Sequence, residues 1–222
     1  MIPVDETLMD IASLTRNQPF CAGVILAKGR CLLITLNADG VPETLKGTAW
    51  RVGGVGGGQE PGETVWDCAL REAREEAFAE VELIPSPSTY FHNMDTGAIR
   101  RIRVRDPVPP LLFSRTVNPR PDRPYAPGLP TGPFIHFALF LSRPKAWDTI
   151  RPGDDVQGLL LCPVDGWTRL KAGNKLKELA RSGIEVIGRP DVDWERRPWF
   201  RRRSRWTPFS PFWKNIRNCL TS

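Results

Sequence analysis

The sequence predicts a mixed α/β domain, and three observations carry that expectation. Short apolar runs rich in β-branched and aromatic residues recur along the chain, at 21–27 (CAGVILA), 31–36 (CLLITL) and 134–141 (FIHFALFL), and such runs form strands. The segment 64–77 instead spaces its apolar residues at helical intervals. The 222 residues suit one domain, or one domain with an appendage, and can bury a core without disulfide or metal staples.

In chain order, residues 6–16 place Leu8, Ile11 and Leu14 three apart, which predicts a short helix or helical turn. The runs 21–27 and 31–36, separated by Lys28-Gly29-Arg30, predict a hairpin. Asn37-Ala38-Asp39-Gly40 gives a turn, and Thr48–Val52 reads as a strand leading into the glycine loop Gly53–Gly58. Over 64–77, at about 100° per residue, Trp66, Ala69, Leu70, Ala73 and Ala77 fall within an arc of roughly 100°, and Arg71, Glu72, Glu75 and Glu76 occupy an adjoining arc of roughly 140°. One side therefore packs on a sheet, while the other presents charge to a cleft. Glu63 or Thr64 is the expected N-cap.

Strands are expected next at Val81–Ile84 and at Ile99–Val104, where apolar and basic residues alternate. Residues 107–133 hold nine of the 22 prolines. Proline cannot donate to a sheet ladder, so this stretch reads as a long irregular insertion. A buried strand follows at 134–141. Asp154 and Asp155 precede another at Val156–Cys162, and 167–182 reads as helical at least from Asn174.

Composition excludes several classes of function. The five cysteines form no CxxC or Cys/His pattern, and the chain has two histidines, His92 and His136. Neither a disulfide framework nor a zinc site is signalled, and both histidines read as structural or surface residues. Reduced thiols suit a cytoplasmic setting. No basic n-region with an apolar h-region opens the chain, and no apolar run approaches the ~20 residues of a membrane span. The whole net charge of +6 sits in residues 186–222, with nine basic and three acidic side chains. This Trp- and Arg-rich stretch reads as a basic aromatic C-terminal extension to a domain covering 1–185. Its arginines, with Trp199, Phe200 and Trp206, suit a nucleic acid or an anionic surface; alternatively the tryptophans dock on the body and the arginines are solvated.

Chemistry concentrates in Gly57–Glu76. Glu72, Glu75 and Glu76 lie at i, i+3 and i+4 on one side of the helix, where like charges repel by roughly 0.2–0.5 kcal/mol per pair, so a compensating cation is expected. Counting backwards, Glu72 follows Arg71 directly, seven residues separate Glu63 from Arg71, and five separate Gly57 from Glu63. This spacing resembles the Nudix box, the signature of the Nudix hydrolase family, over Gly57–Ala79. Every charged position of the box is filled. Ala73 and Ala79 replace bulkier aliphatics, and Phe78 stands where the box has its last glycine. Because a glycine there supplies a left-handed helix end, which Phe78 tolerates poorly, the helix is expected to run on or to end differently.

The resemblance implies an α/β/α sandwich with a mixed β-sheet, Mg²⁺ or Mn²⁺ as cofactor, and cleavage of a small-molecule nucleoside diphosphate derivative at its pyrophosphate. It implies Glu72, Glu75 and Glu76 as metal ligands, with the Gly57 carbonyl adding an oxygen. Arg71 would pair with Glu63 and hold the loop against the helix. The general base is open between Glu75 and an acid outside the box, Asp154 or Asp155. The alternative reading is a Nudix-fold protein that binds a nucleotide without turning it over.

Overall fold

The computed structural model describes residues 4–153, 155–163 and 166–201. They form a mixed α/β structure whose chain divides into two compact units. The first comprises Met1–Val24, Gly56–Ala73 and Val81–Arg143; the second comprises Ile25–Val55, Arg74–Glu80 and Pro144–Ser222.

In the first unit the sheet order is β1 (Val4–Met9), β8 (Ala98–Val104), β7 (Thr89–Asn93), β9 (Leu112–Val117), β10 (Phe134–Pro144) and β2 (Phe20–Lys28). β6 (Val81–Ile84) pairs with β10, and β5 (Val55–Gly58) pairs with β2. The sheet is mixed: β1 runs parallel to β8 and β7 parallel to β9, while β7/β8 and β9/β10 are antiparallel. Three expectations are corrected here. The segment 6–16 is strand β1 followed by helix α1 (Ile11–Thr15), because Asp10 turns the chain and caps the helix by accepting from the Ser13 N–H at 2.8 Å. The Pro-rich stretch 107–133 is not irregular throughout. Its six residues 112–117 are free of proline and form β9, inside the sheet between β7 and β10. The glycine run 53–58 is part strand, since its backbone pairs where side chains would crowd.

The irregular part of that stretch is therefore the loop from Asn118 to Pro133. It is pinched at its neck, where the Asn118 N–H donates to the Pro133 carbonyl and the Asn118 side-chain amide to the Gly132 carbonyl, both at 2.8 Å.

In the second unit, β3 (Cys31–Asn37) pairs antiparallel with β11 (Val156–Pro163) and with β4 (Ala49–Gly53), β11 with β12 (Glu185–Gly188), and β4 runs parallel to β13 (Arg197–Trp199). The hairpin between β2 and β3 turns at Gly29, whose φ of 58° suits glycine. The helical stretch 167–182 is two helices, α3 (Trp167–Lys171) and α4 (Leu176–Arg181), with Gly173 at φ 79° between them. The first part of the basic extension belongs to this unit's sheet as β12 and β13. The Trp50 indole N–H donates to the Asp193 carbonyl at 3.2 Å, Arg196 covers the Trp50 ring at 4.0 Å, and Phe200 meets Trp167 at 6.1 Å. Trp206 and the remainder of the extension, 202–222, lie outside the described residues.

Among the described residues no helix is long and apolar enough to cross a membrane, and Cys21, Cys31, Cys68 and Cys162 are free thiols.

Candidate active site

Helix α2 (Val65–Ala77) carries the candidate residues. Thr64 starts it. The Thr64 Oγ1 accepts from the Asp67 N–H at 3.2 Å, while an Asp67 carboxylate oxygen accepts from the Thr64 N–H at 3.1 Å, a reciprocal cap. The face with Val65, Cys68, Ala69 and Ala73 is fully buried, and these small side chains let the helix lie close to the sheet. Trp66 fixes its rotation, with its ring 6.0 Å from Phe140 of β10 and its indole N–H donating to the Val108 carbonyl at 3.0 Å.

Four site residues meet in the first unit. Arg71 donates from Nε to Glu63 Oε1 at 2.8 Å and from Nη2 to Glu63 Oε2 at 3.1 Å. Its Nη2 also reaches the Gly58 carbonyl at 2.7 Å, and its Nη1 pairs with Glu72 Oε1 at 2.8 Å. One guanidinium thus ties the strand β5, the loop and the helix together. Paired forks of this kind fix geometry as well as charge. Glu63 also accepts from the Glu60 N–H at 2.8 Å. Burial opposes ionisation of Glu63, but the Arg71 hydrogen bonds, the Glu60 N–H and the Arg71 charge outweigh it and hold its carboxyl below the ordinary value. Glu72 is 7% exposed. Its carboxylate lies against the Gly57 backbone so closely that a Cβ added there would sit 2.7 Å from the carboxyl carbon. Only glycine admits that contact. Beside them, burial and the Glu72 carboxylate push the Cys68 thiol up to about 12, so it stays protonated.

In the second unit the end of α2 is built around Phe78. The helix ends at Ala77, with Phe78 at φ 49° and its N–H donating to the Arg74 carbonyl at 3.0 Å. This corrects the expectation that the helix would run on or end differently. Phe78 adopts the left-handed backbone of a helix end, at a cost of roughly 1–2 kcal/mol for a side chain with a Cβ. The surroundings offset it. The Arg151 guanidinium lies over the Phe78 ring at 4.0 Å, and the N–H groups of Arg151 and Gly153 satisfy the carbonyls of Ala77 and Glu76 at 3.2 and 2.9 Å. Gly153 presses on the helix backbone: an added Cβ would lie 2.6 Å from the Glu75 carbonyl carbon and 2.9 Å from the Glu76 Cα. Glu75 is exposed and Glu76 half-buried. Asp155 is exposed in the turn just after Gly153, and Asp154 lies outside the described residues.

Sequence reasoning missed Gly153, Arg151 and the Gly58 carbonyl. The run Pro152-Gly153-Asp154 signals a turn, but nothing in it says that the turn meets a helix end.

A divalent cation fits this donor chemistry. The side chains are carboxylates, the hard oxygen donors such ions prefer, and the Gly57–Glu72 contact brings a backbone segment up to one of them. Among the described residues no group of three or more His, Cys, Asp or Glu converges on one point.

The insertion reaches the box loop within the first unit. Gly128 lies against Pro61, an added Cβ coming to 3.2 Å of its ring. Gly128, Leu129 and Pro130 share a cleft of about 460 Å³ with Glu63, Trp66 and Arg16.

No curated protein sequence matches the chain. Among solved structures, a NUDIX hydrolase from Nitrosomonas europaea is 18% identical, the match covering 68% of this chain and 62% of that one at a TM-score of 0.40. An ADP-ribose pyrophosphatase from Streptococcus suis is 14% identical over 66% of this chain and 75% of its own, with a TM-score of 0.39. An Ap4A hydrolase from C. elegans is 16% identical over 69% and 84%, with a TM-score of 0.38. The profile of the NUDIX domain family matches residues 17–165, about two thirds of the sequence and the part that holds the whole Gly57–Glu76 constellation, and the chain belongs to that family.

Proposed function

We propose that the protein is a divalent-metal-dependent hydrolase that cleaves the pyrophosphate linkage of a nucleoside diphosphate derivative by water attack. The observation that carries this reading is the Glu63–Arg71–Glu72 network closed against Gly57 and Gly58, in which one arginine holds a loop and a carboxylate in register. Mg²⁺ or Mn²⁺ bound by Glu72, Glu75 and Glu76 with the Gly57 carbonyl would offset the charge of the pyrophosphate and acidify the attacking water. Arg71 orients Glu72 and holds Glu63, a positioning role. Glu75 is exposed on helix α2, where it can take a proton from water; Asp155, exposed two residues after Gly153, is the other described candidate. The cleft of about 460 Å³ is in the range of ligand sites, and its wall of Trp66, Leu129 and Pro130 suits the nucleoside part of the substrate.

The test is incubation of the purified protein with a panel of dinucleotides and nucleotide sugars plus Mg²⁺, followed by chromatography of the products. Release of nucleoside monophosphates is expected. Tight binding of panel members with no turnover under any divalent metal would instead establish the nucleotide-binding, regulatory alternative.

A further inference from the structure

On the first unit's sheet lies a second polar cluster that the hydrolase reading does not use. In β9 and β10, Arg115 and His136 are directly paired across the ladder and so share a face. His136 is 3% exposed and stacks flat on Phe113, with ring centres 5.2 Å apart and planes 6° from parallel. The Arg115 guanidinium lies over Phe134 at 4.4 Å and over Phe91 at 5.9 Å. Arg100 covers the same Phe91 ring at 5.1 Å.

What sets this cluster apart is its missing partners. Buried Arg115 Nε and His136 Nδ1 make no hydrogen bond. Among the described residues no carboxylate meets the Arg115 guanidinium, whose contacts are the faces of the two phenylalanine rings. Buried polar groups in native proteins are nearly always paired, and an orphan donor calls for a water or ion to satisfy it. Arg115 is half-buried with its Nε buried and unpartnered, and such a fork without a countercharge can take an anion. The nearby imidazole does not compete: burial and the Arg115 charge depress His136 to about 4, so it is neutral at pH 7 and can share a proton with a ligand oxygen.

We propose that Arg115 and His136 form a binding site for a phosphoryl group, with the guanidinium fork holding two oxygens and His136 Nδ1 a third. A phosphate monoester suits both partners, since it carries strong acceptor oxygens and, near neutral pH, is partly protonated. The group comes either from free phosphate or from the terminal phosphate of a nucleotide. Binding there involves no metal ion.

Calorimetric titration of the full-length protein in EDTA, at constant ionic strength set with chloride, tests this using inorganic phosphate, AMP and adenosine. Saturable binding of phosphate and AMP but not adenosine is expected, with affinity at least about tenfold lower for Arg115→Gln. Arg115→Lys, which keeps the charge but not the fork, should also weaken binding. AMP binding more than tenfold tighter than phosphate would identify a nucleotide as the source, and equal affinities free phosphate; either supports the site. Phosphate affinity unchanged in both variants, or no binding to the wild-type protein at millimolar phosphate, overturns it. Because no metal or turnover is involved, failure of hydrolysis leaves this result untouched.

Discussion

Arg71 holds Glu63 by two hydrogen bonds, Nε to Oε1 at 2.8 Å and Nη2 to Oε2 at 3.1 Å, and the same guanidinium meets Glu72 at 2.8 Å. Residues acting through one fork should not be additive. In a double-mutant cycle with Arg71→Lys and Glu63→Gln, urea unfolding is expected to show a coupling of about 1–3 kcal/mol. Effects that add within about 0.5 kcal/mol would mean that the fork does not act as a unit.

The same pair sets an acid limit on stability. Although burial raises the Glu63 carboxyl, the Arg71 and Glu60 hydrogen bonds prevail and its folded value lies below the ordinary 4.5. A depressed folded value stabilises the protein fully above the unfolded value, and this contribution is lost as pH falls through the folded one. Thermal unfolding from pH 6 to 3 should therefore show a shallower acid decline for Glu63→Gln than for the wild type. Parallel curves for the two proteins would contradict this.

Phe78 offers a test of backbone strain. At φ 49° a Cβ is unfavourable, so Phe78→Gly should be more stable than Phe78→Ala by about 1 kcal/mol. Both lose the Arg151 contact, so their difference isolates the backbone. Equal stability of the two would argue against a left-handed helix end.

Gly153→Ala should destabilise the protein by about 1–3 kcal/mol through overpacking, because the added carbon falls on the helix backbone at Glu75–Glu76. Gly58→Ala, where nothing lies within 4 Å of the added carbon, serves as the comparison in the same denaturant series and should cost much less.

How much of this could be read from the sequence follows from what each signal depends on. The α2 helix was legible because its apolar period, its Thr64 cap and its box spacing all lie within 20 residues. Strand β9 was hidden because the prolines flanking 112–117 dominate the composition, although none interrupts the strand itself. Strand β1 was mistaken for helix because Leu8, Ile11 and Leu14 happen to be three apart; its pairing with β8 is set by residues about 95 positions away. The Phe78 ending was unreadable because its compensation comes from Arg151 and Gly153. The pairing of Arg71 with Glu63 follows from the box, but the meeting of Arg115 with His136 needs the ladder register.

The proposed metal-dependent hydrolysis rests on the box glutamates. The direct measurement is the Mg²⁺-dependent initial rate of Glu76→Gln against the wild type, on any substrate the wild type turns over, with matched circular dichroism spectra. A fall of about a hundredfold or more is expected, with no rate for either protein in EDTA. A Glu76→Gln enzyme that hydrolyses at the wild-type rate would contradict it.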